Sequence, residues 1–169
     1  MNYQDYIWDL GGTLLDNYET STAAFVHTLQ DFGLTASHDE VYKALKVSTE
    51  YAVRQFAPRN KEFLKAYKAN EAKELEHPIL FDGASELLAQ IIQQGGRNFL
   101  ISHRDDQVLE ILQKTQISAY FTEVVTATNG FKRKPDPESM LYLKDKYQIE
   151  SGLVIGDRPI DIEAGQAAG

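Results

Sequence analysis

Short apolar runs that stop abruptly at polar residues alternate, over most of this chain, with stretches whose apolar positions recur at roughly helical spacing. Tyr6-Ile7-Trp8 is the first run. It ends at Asp9 and the paired glycines Gly11-Gly12, the pattern of a buried strand running into a tight loop. From Asp16 to about Leu80 the pattern changes. Phe25, Leu29 and Phe32, then Val41, Leu45 and Val47, then Phe63, Leu64 and Tyr67 predict about four helices. Ser37 with Glu40 three residues on predicts a capping box at the start of the second helix, and Pro58 interrupts the region near its middle.

After Pro78 helix and strand alternate. A helix over Ala84 to Gln94 stops at Gly95-Gly96, and the strand Asn98-Phe99-Leu100-Ile101 follows, ending at Ser102. The same logic then repeats: a helix over Gln107 to Lys114, a strand over Glu123 to Thr126, a helix over Glu138 to Tyr147, and a strand Leu153-Val154-Ile155 ending at Gly156-Asp157. The chain reaches Gly169 early in a further helix or at its exit. Strands separated by helices predict an α/β fold, a Rossmann-like parallel sheet with crossover helices. Residues 1–15 and 80–169 make up this core, and 16–79 form an inserted all-helical cap of about four helices.

Composition narrows the function classes. The chain has 169 residues, 43% of them hydrophobic, enough for one core with an inserted subdomain. No stretch approaches the roughly 20 apolar residues of a membrane span, and Met1 to Tyr6 show neither a basic start nor an apolar signal region, so a cytoplasmic location is the expectation. There is no cysteine, which removes disulfide and thiolate chemistry and leaves oxygen or histidine ligands for any metal. The net charge of −8 disfavours nucleic acid and anionic membrane surfaces as partners. A monomer or homodimer acting on a small molecule fits best.

Four segments fall at predicted strand ends: Asp9-Leu10-Gly11-Gly12-Thr13, Ser102, Lys134-Pro135, and Gly156-Asp157 with Asp161. Strand ends are where ligands collect in parallel α/β sheets. Phosphoryl transfer through a carboxylate needs an exposed Asp, a cation against the phosphate oxygens, and donors around them. Asp9 suits the nucleophile, and Asp157 suits a ligand for Mg2+, which takes oxygen donors. Asp161 can hold a metal water or orient Lys134. Ser102 and the amides near Gly11 and Gly12 can donate to phosphate oxygens, and Lys134 offsets the carboxylates.

These segments resemble those of the haloacid dehalogenase-like hydrolase superfamily, in the subgroup with a helical cap inserted after the first strand. The resemblance spans nearly the whole chain, through Trp8 to Asp16, Phe81-Asp82-Gly83, Leu100 to Arg104, Lys132 to Pro137 and Val154 to Ile162. It implies that Asp9 is phosphorylated and that magnesium is bound by Asp9, the Gly11 carbonyl and Asp157, with Asp161 beside them. It also implies that Ser102, His103 and Lys134 hold the phosphoryl group while Thr13 supports the loop, and that the substrate is a small phosphorylated metabolite.

The pattern breaks at Gly11. Phosphatases of the superfamily carry Asp there as the proton-transfer group, and glycine cannot replace it. Asp16, His103, His27 or a residue of the cap are the candidate stand-ins. The resemblance leaves two other readings. One is non-phosphatase chemistry such as phosphonate cleavage through an imine on a cap lysine, from among Lys43, Lys46, Lys61, Lys65, Lys68 and Lys73. The other is a phosphate-binding pseudoenzyme. Tyr18, Tyr51, Arg54 and Arg59 are the cap residues that can set substrate choice.

Overall fold

The computed structural model describes residues 3–169, so the reading of Met1 and Asn2 lies outside the described residues. Contacts divide the chain into two compact units: residues up to Leu15 together with Leu80–Gly169, and Asp16–Ile79.

In the first unit, β1 (Asp5–Trp8), β2 (Arg97–Ile101), β3 (Phe121–Val125) and β4 (Gly152–Ile155) form one sheet in the order β3-β2-β1-β4. All three pairings are parallel. Parallel strands cannot be joined by tight turns, and the crossovers run through α5 (Ala84–Gln93), α6 (Gln107–Lys114) and α7 (Glu138–Tyr147), with α8 (Pro159–Ala168) following β4. Ile7 lies level with Phe99 and Val154, and Trp8 with Leu100 and Ile155. Because side chains alternate, this register sends Tyr6, Trp8 and Leu100 to one face, where Leu88, Ile91, Val108 and Leu112 of α5 and α6 cover them. Ile7, Phe99 and Ile101 go to the other, against Met140 and Leu143 of α7 and Ala164 of α8. With both faces covered, this is a Rossmann-like three-layer arrangement. Strand order reverses direction between β1 and β4, which places the ligand crevice of such sheets at their C-terminal ends.

Local chemistry fixes several boundaries differently from the sequence pattern. β3 starts at Phe121 and stops at Val125, because the Thr126 N–H turns to the Asn129 side chain (2.8 Å) and opens a short 3-10 turn, Ala127–Asn129. A second 3-10 turn, Ser118–Tyr120, leads into the strand. β1 gains Asp5, whose buried carboxylate accepts from Arg97 Nε at 2.6 Å.

The second unit holds α1 (Asn17–Asp31), α2 (His38–Val47), α3 (Thr49–Phe56) and α4 (Phe63–Glu74). The expected capping box is present: the Ser37 N–H donates to Glu40 Oε2 at 3.0 Å and the Glu40 N–H to Ser37 Oγ at 3.3 Å. Phe25 centres the core, edge-on to Phe63 at 4.9 Å and to Tyr67 at 5.1 Å between ring centroids. Two residues of the sequence pattern do not belong to this core. Val47 and Leu64 are 68% and 45% exposed, since Val47 follows Leu45 by only two positions and Leu64 follows Phe63 by one, which turns both away from the buried stripe.

One buried polar group holds the first unit's sheet to its helices. Asn98, fully buried, accepts from Trp8 Nε1 at 2.9 Å and donates to the Leu88 and Tyr120 carbonyls at 3.2 Å each. Asn98→Ala strips Trp8 Nε1 of its acceptor and the Leu88 and Tyr120 carbonyls of a donor, although Leu88, inside α5, stays in the helix ladder; an unpaired buried group costs about 1–3 kcal/mol before relaxation. We expect a loss of about 2–3 kcal/mol in unfolding free energy by urea titration, followed through the fluorescence of Trp8, the single tryptophan.

Candidate active site

Hydrophobic β1 ends at Trp8, and the next residue, Asp9, keeps its N–H on the Ile155 carbonyl of β4 (2.9 Å), so its carboxylate is presented just beyond the sheet. The loop that follows is closed on itself: the N–H groups of Thr13, Leu14 and Leu15 converge on the Leu10 carbonyl, and the Gly12 N–H donates to the Leu15 carbonyl (2.9 Å). The amides of Gly12 and Thr13 are therefore engaged inside the loop rather than turned to a ligand. Of the expected donors, the Gly11 N–H remains at this loop; neither it nor the Gly11 carbonyl, an acceptor, has a protein partner among the described residues. The Thr13 hydroxyl is buried without a protein partner.

Gly12 serves a different purpose. Its φ of 80° is one that glycine adopts without cost, and a Cβ built there would stand 2.7 Å from Asp157 Cγ. Gly156 does the same for Asp161, whose carboxylate occupies the space a side chain would take. Each glycine thus makes room for one carboxylate.

Lys134 lies at the centre. Its side chain is buried, and its Nζ donates to Asp9 Oδ1 at 2.8 Å, to Asp161 Oδ1 at 2.5 Å and to the Ile101 carbonyl at 3.3 Å, which uses all three ammonium hydrogens. Asp161, in the first turn of α8, accepts the Arg158 N–H on its other oxygen (3.1 Å). Both oxygens of Asp161 are thereby committed to the protein. The Lys134 N–H donates to His103 Nε2 at 3.0 Å. His103 must then be neutral with its proton on Nδ1, and its pKa is held below the ordinary imidazole value by burial and by the charges of Lys134 and Arg133. Ser102, buried at the end of β2, accepts the Arg104 N–H on Oγ (3.2 Å), which leaves its O–H to donate outward.

Asp9, Asp157 and Asp161 each offer an oxygen within 4.8 Å of the others. Partial burial and the nearness of Asp9 and Asp161 raise the Asp157 pKa. A cluster of like charges with an all-oxygen donor set fits a hard divalent cation, and magnesium matches it. Asp9, Gly11, Ser102, His103, Lys134 and Asp161 line one pocket of about 140 Å³, joined by Arg104, Arg133, Arg158 and Ile160.

A family model described as haloacid dehalogenase-like hydrolase matches residues 6–169. The chain belongs to this family. It is 74% identical to a hydrolase of known structure from Streptococcus pneumoniae TIGR4, with a TM-score of 0.97 over 100% of this chain and 90% of that one. A phosphoglycolate phosphatase from Aliivibrio fischeri is 29% identical over 96% of this chain and 79% of its own length. The pyrophosphatase PpaX from Oceanobacillus iheyensis is 26% identical over 99% of this chain and 81% of its own.

The stand-ins for a proton-transfer group at Gly11 have other duties. The His103 lone pair is taken by Lys134. Asp16 caps α1, accepting the Glu19 N–H at 3.1 Å, and His27 is an exposed partner of Asp31 at 3.7 Å. The six lysines of the helical unit, Lys43, Lys46, Lys61, Lys65, Lys68 and Lys73, are all exposed, without the burial that makes an amine ready to form an imine. Tyr18 packs edge-on against Tyr42, while Tyr51, Arg54 and Arg59 are exposed. Sequence reasoning missed the arginines at the pocket, although each stands within two residues of a motif position: Arg104 after Ser102, Arg133 before Lys134, Arg158 after Asp157.

His103 gives this site a pH signature. Its folded pKa lies below its unfolded one, so the unfolded chain binds more protons and stability rises with pH through that interval. We expect the wild-type Tm to fall between pH 7.5 and 5.5 by more than that of His103→Gln, which keeps an acceptor for the Lys134 N–H but does not titrate. Parallel slopes in a differential scanning fluorimetry series would remove His103 from this role.

Proposed function

We propose that the protein is a magnesium-dependent phosphatase for a small phosphorylated metabolite, working through a phospho-aspartate on Asp9. The observation that carries this reading is the Lys134 ammonium fixed between Asp9 and Asp161, inside a pocket that also presents the Ser102 hydroxyl. Two of the relatives, a phosphoglycolate phosphatase and a pyrophosphatase, support it.

Asp9, the Gly11 carbonyl and Asp157 would hold the magnesium. Bound there, it supplies positive charge against the phosphoryl oxygens and screens the nucleophile from them. The protein's own part follows from its contacts. Lys134 fixes one Asp9 oxygen and keeps the carboxylate ionised and oriented. An Asp9 oxygen bonds to phosphorus as the ester P–O bond breaks and the leaving group departs with the electron pair. Ser102 and the Gly11 N–H donate to the phosphoryl oxygens, where charge gathers in the transition state, and Lys134, whose three hydrogens are already engaged, adds its positive charge beside them. Asp161 holds Lys134 in place. Water then attacks the phosphorus of the phospho-aspartate, inorganic phosphate leaves, and the Asp9 carboxylate is restored.

Among the residues lining the pocket none is left as a free acid or base. Asp161 is doubly bonded to the protein, the His103 lone pair is occupied, and position 11 has no side chain. Esters with good leaving groups therefore react best, because they need no proton on departure. Steady-state hydrolysis of p-nitrophenyl phosphate should require magnesium and vanish in Asp9→Asn. A burst of about one equivalent that stalls would mean that Asp9 is phosphorylated but not released, and complete inactivity with retained phosphate binding would favour the ligand-binding reading.

Gly11 is not among the glycines at positive φ. Gly11→Asp should raise kcat/KM for a simple alkyl phosphate by about 10²-fold or more, and that for p-nitrophenyl phosphate by much less. Equal effects on the two esters in a folded variant would refute the account of Gly11 as a missing proton donor.

A further inference from the structure

The pocket that holds Asp9 and Lys134 carries more positive charge than one phosphoryl group requires. In a chain of net charge −8, its lining sets two carboxylates, Asp9 and Asp161, with Asp157 beside them, against four cations, Lys134, Arg104, Arg133 and Arg158. Lys134 is spent on the two carboxylates. The three arginines are not: their guanidinium groups make no hydrogen bond or ion pair with the protein among the described residues. Half of the chain's six arginines thus stand unpaired around one pocket of about 140 Å³. Arg97, by contrast, has its carboxylate in Asp5 at 2.6 Å.

Their positions are also systematic. Three separate loops bring a motif residue to the site, and each brings one arginine with it: the loop after β2, the loop before α7, and the junction of β4 with α8. The backbone of Arg104 is tied to Ser102, and that of Arg158 to Asp161, while Arg133 directly precedes the buried Lys134. The roots of these side chains are as fixed as the site itself, and their heads are left free. Guanidinium is permanently charged, weakly hydrated and shaped to meet carboxylate or phosphate with paired hydrogen bonds.

We propose that Arg104, Arg133 and Arg158 form a second anion subsite, so that the substrate is a phosphate ester whose remaining part carries a carboxylate or a further phosphate. This rests on the phosphatase reading for the identity of the first anion. The subsite lies wholly within the α/β unit, so substrate choice is exercised there whatever the helical unit adds.

The test compares three ligands on one carbon chain: propyl phosphate, 3-phosphooxypropanoate and propane-1,3-diyl bisphosphate. Calorimetric titration of the Asp9→Asn protein in magnesium buffer reads binding without turnover, and wild-type hydrolysis is measured separately. A charge-assisted contact supports about tenfold to hundredfold in Kd. We expect at least one of the two doubly anionic esters to bind that much more tightly than propyl phosphate, and the better of the two identifies the second anion. The advantage should shrink in each of Arg104→Gln, Arg133→Gln and Arg158→Gln and be lost in the triple variant, with melting curves confirming the fold. Equal Kd for all three ligands overturns the proposal, as does an advantage that survives in the triple variant, which would place the second anion elsewhere. Tighter, arginine-dependent binding with no hydrolysis by wild type supports the subsite and overturns the phosphatase reading instead.

Discussion

The ammonium of Lys134 is the contact on which the rest of the site depends. A buried charge is tolerated only when its hydrogen bonds are met by opposite charge or strong dipoles, and here two carboxylates and a backbone carbonyl meet them all. Those partners come from the end of β1, the end of β2 and the start of α8. One side chain therefore draws together two strand ends and a helix start that the sheet alone would leave independent. Removing one member of such a buried network typically costs about 3–5 kcal/mol, because the remaining charges are stranded. Stability and the geometry of the pocket are the same interaction at this point, since what orients Asp9 also fastens the loops.

The histidine beside it belongs to the same device. With its Nε2 accepting from the Lys134 backbone, His103 steadies the lysine's main chain while Asp161 steadies its tip. Burial and neighbouring cations keep the ring neutral, the only state in which it can accept. A residue that sequence alone offers as a reserve base thus has its lone pair on the lysine's backbone, with the Nδ1–H left as a donor in the pocket. The acidic side of the site is arranged by subtraction: glycine at 12 and 156 clears the volume into which Asp157 and Asp161 fit.

Much of this was legible in the sequence, and the boundary of legibility has a physical form. Alternation within strands and spacing within helices record burial, so the parallel sheet, its crossover helices and the Ser37–Glu40 cap could be read directly. Boundaries set by side-chain hydrogen bonds could not. Thr126 continues an apolar strand by composition, yet its N–H is claimed by Asn129 and the strand ends before it. At the site, residue types singled out Asp9, Lys134 and Asp157, which lie close together in the fold, but the direction of individual amides depends on how a loop closes. The convergence of three N–H groups on Leu10 is invisible until the loop is seen. The arginines escaped notice for a related reason: they lie far apart in sequence, and only the sheet order brings them to one pocket.

The neck of the insertion has a wider meaning. The outgoing and returning backbones run side by side, Leu15 bridged antiparallel to Leu80, the Phe81 N–H on the Leu14 carbonyl at 2.9 Å and the Asp16 N–H on that of Ile79 at 2.8 Å. A closed neck of this kind separates the length of what it carries from the cost of carrying it, because the entropy of closing a loop grows only with the logarithm of its length. The α/β scaffold is indifferent, in that sense, to whether the excursion is a short turn or a whole helical bundle. Modules can be exchanged at this point as interchangeable parts, with the cluster of Lys134 and its carboxylates staying behind in the α/β unit.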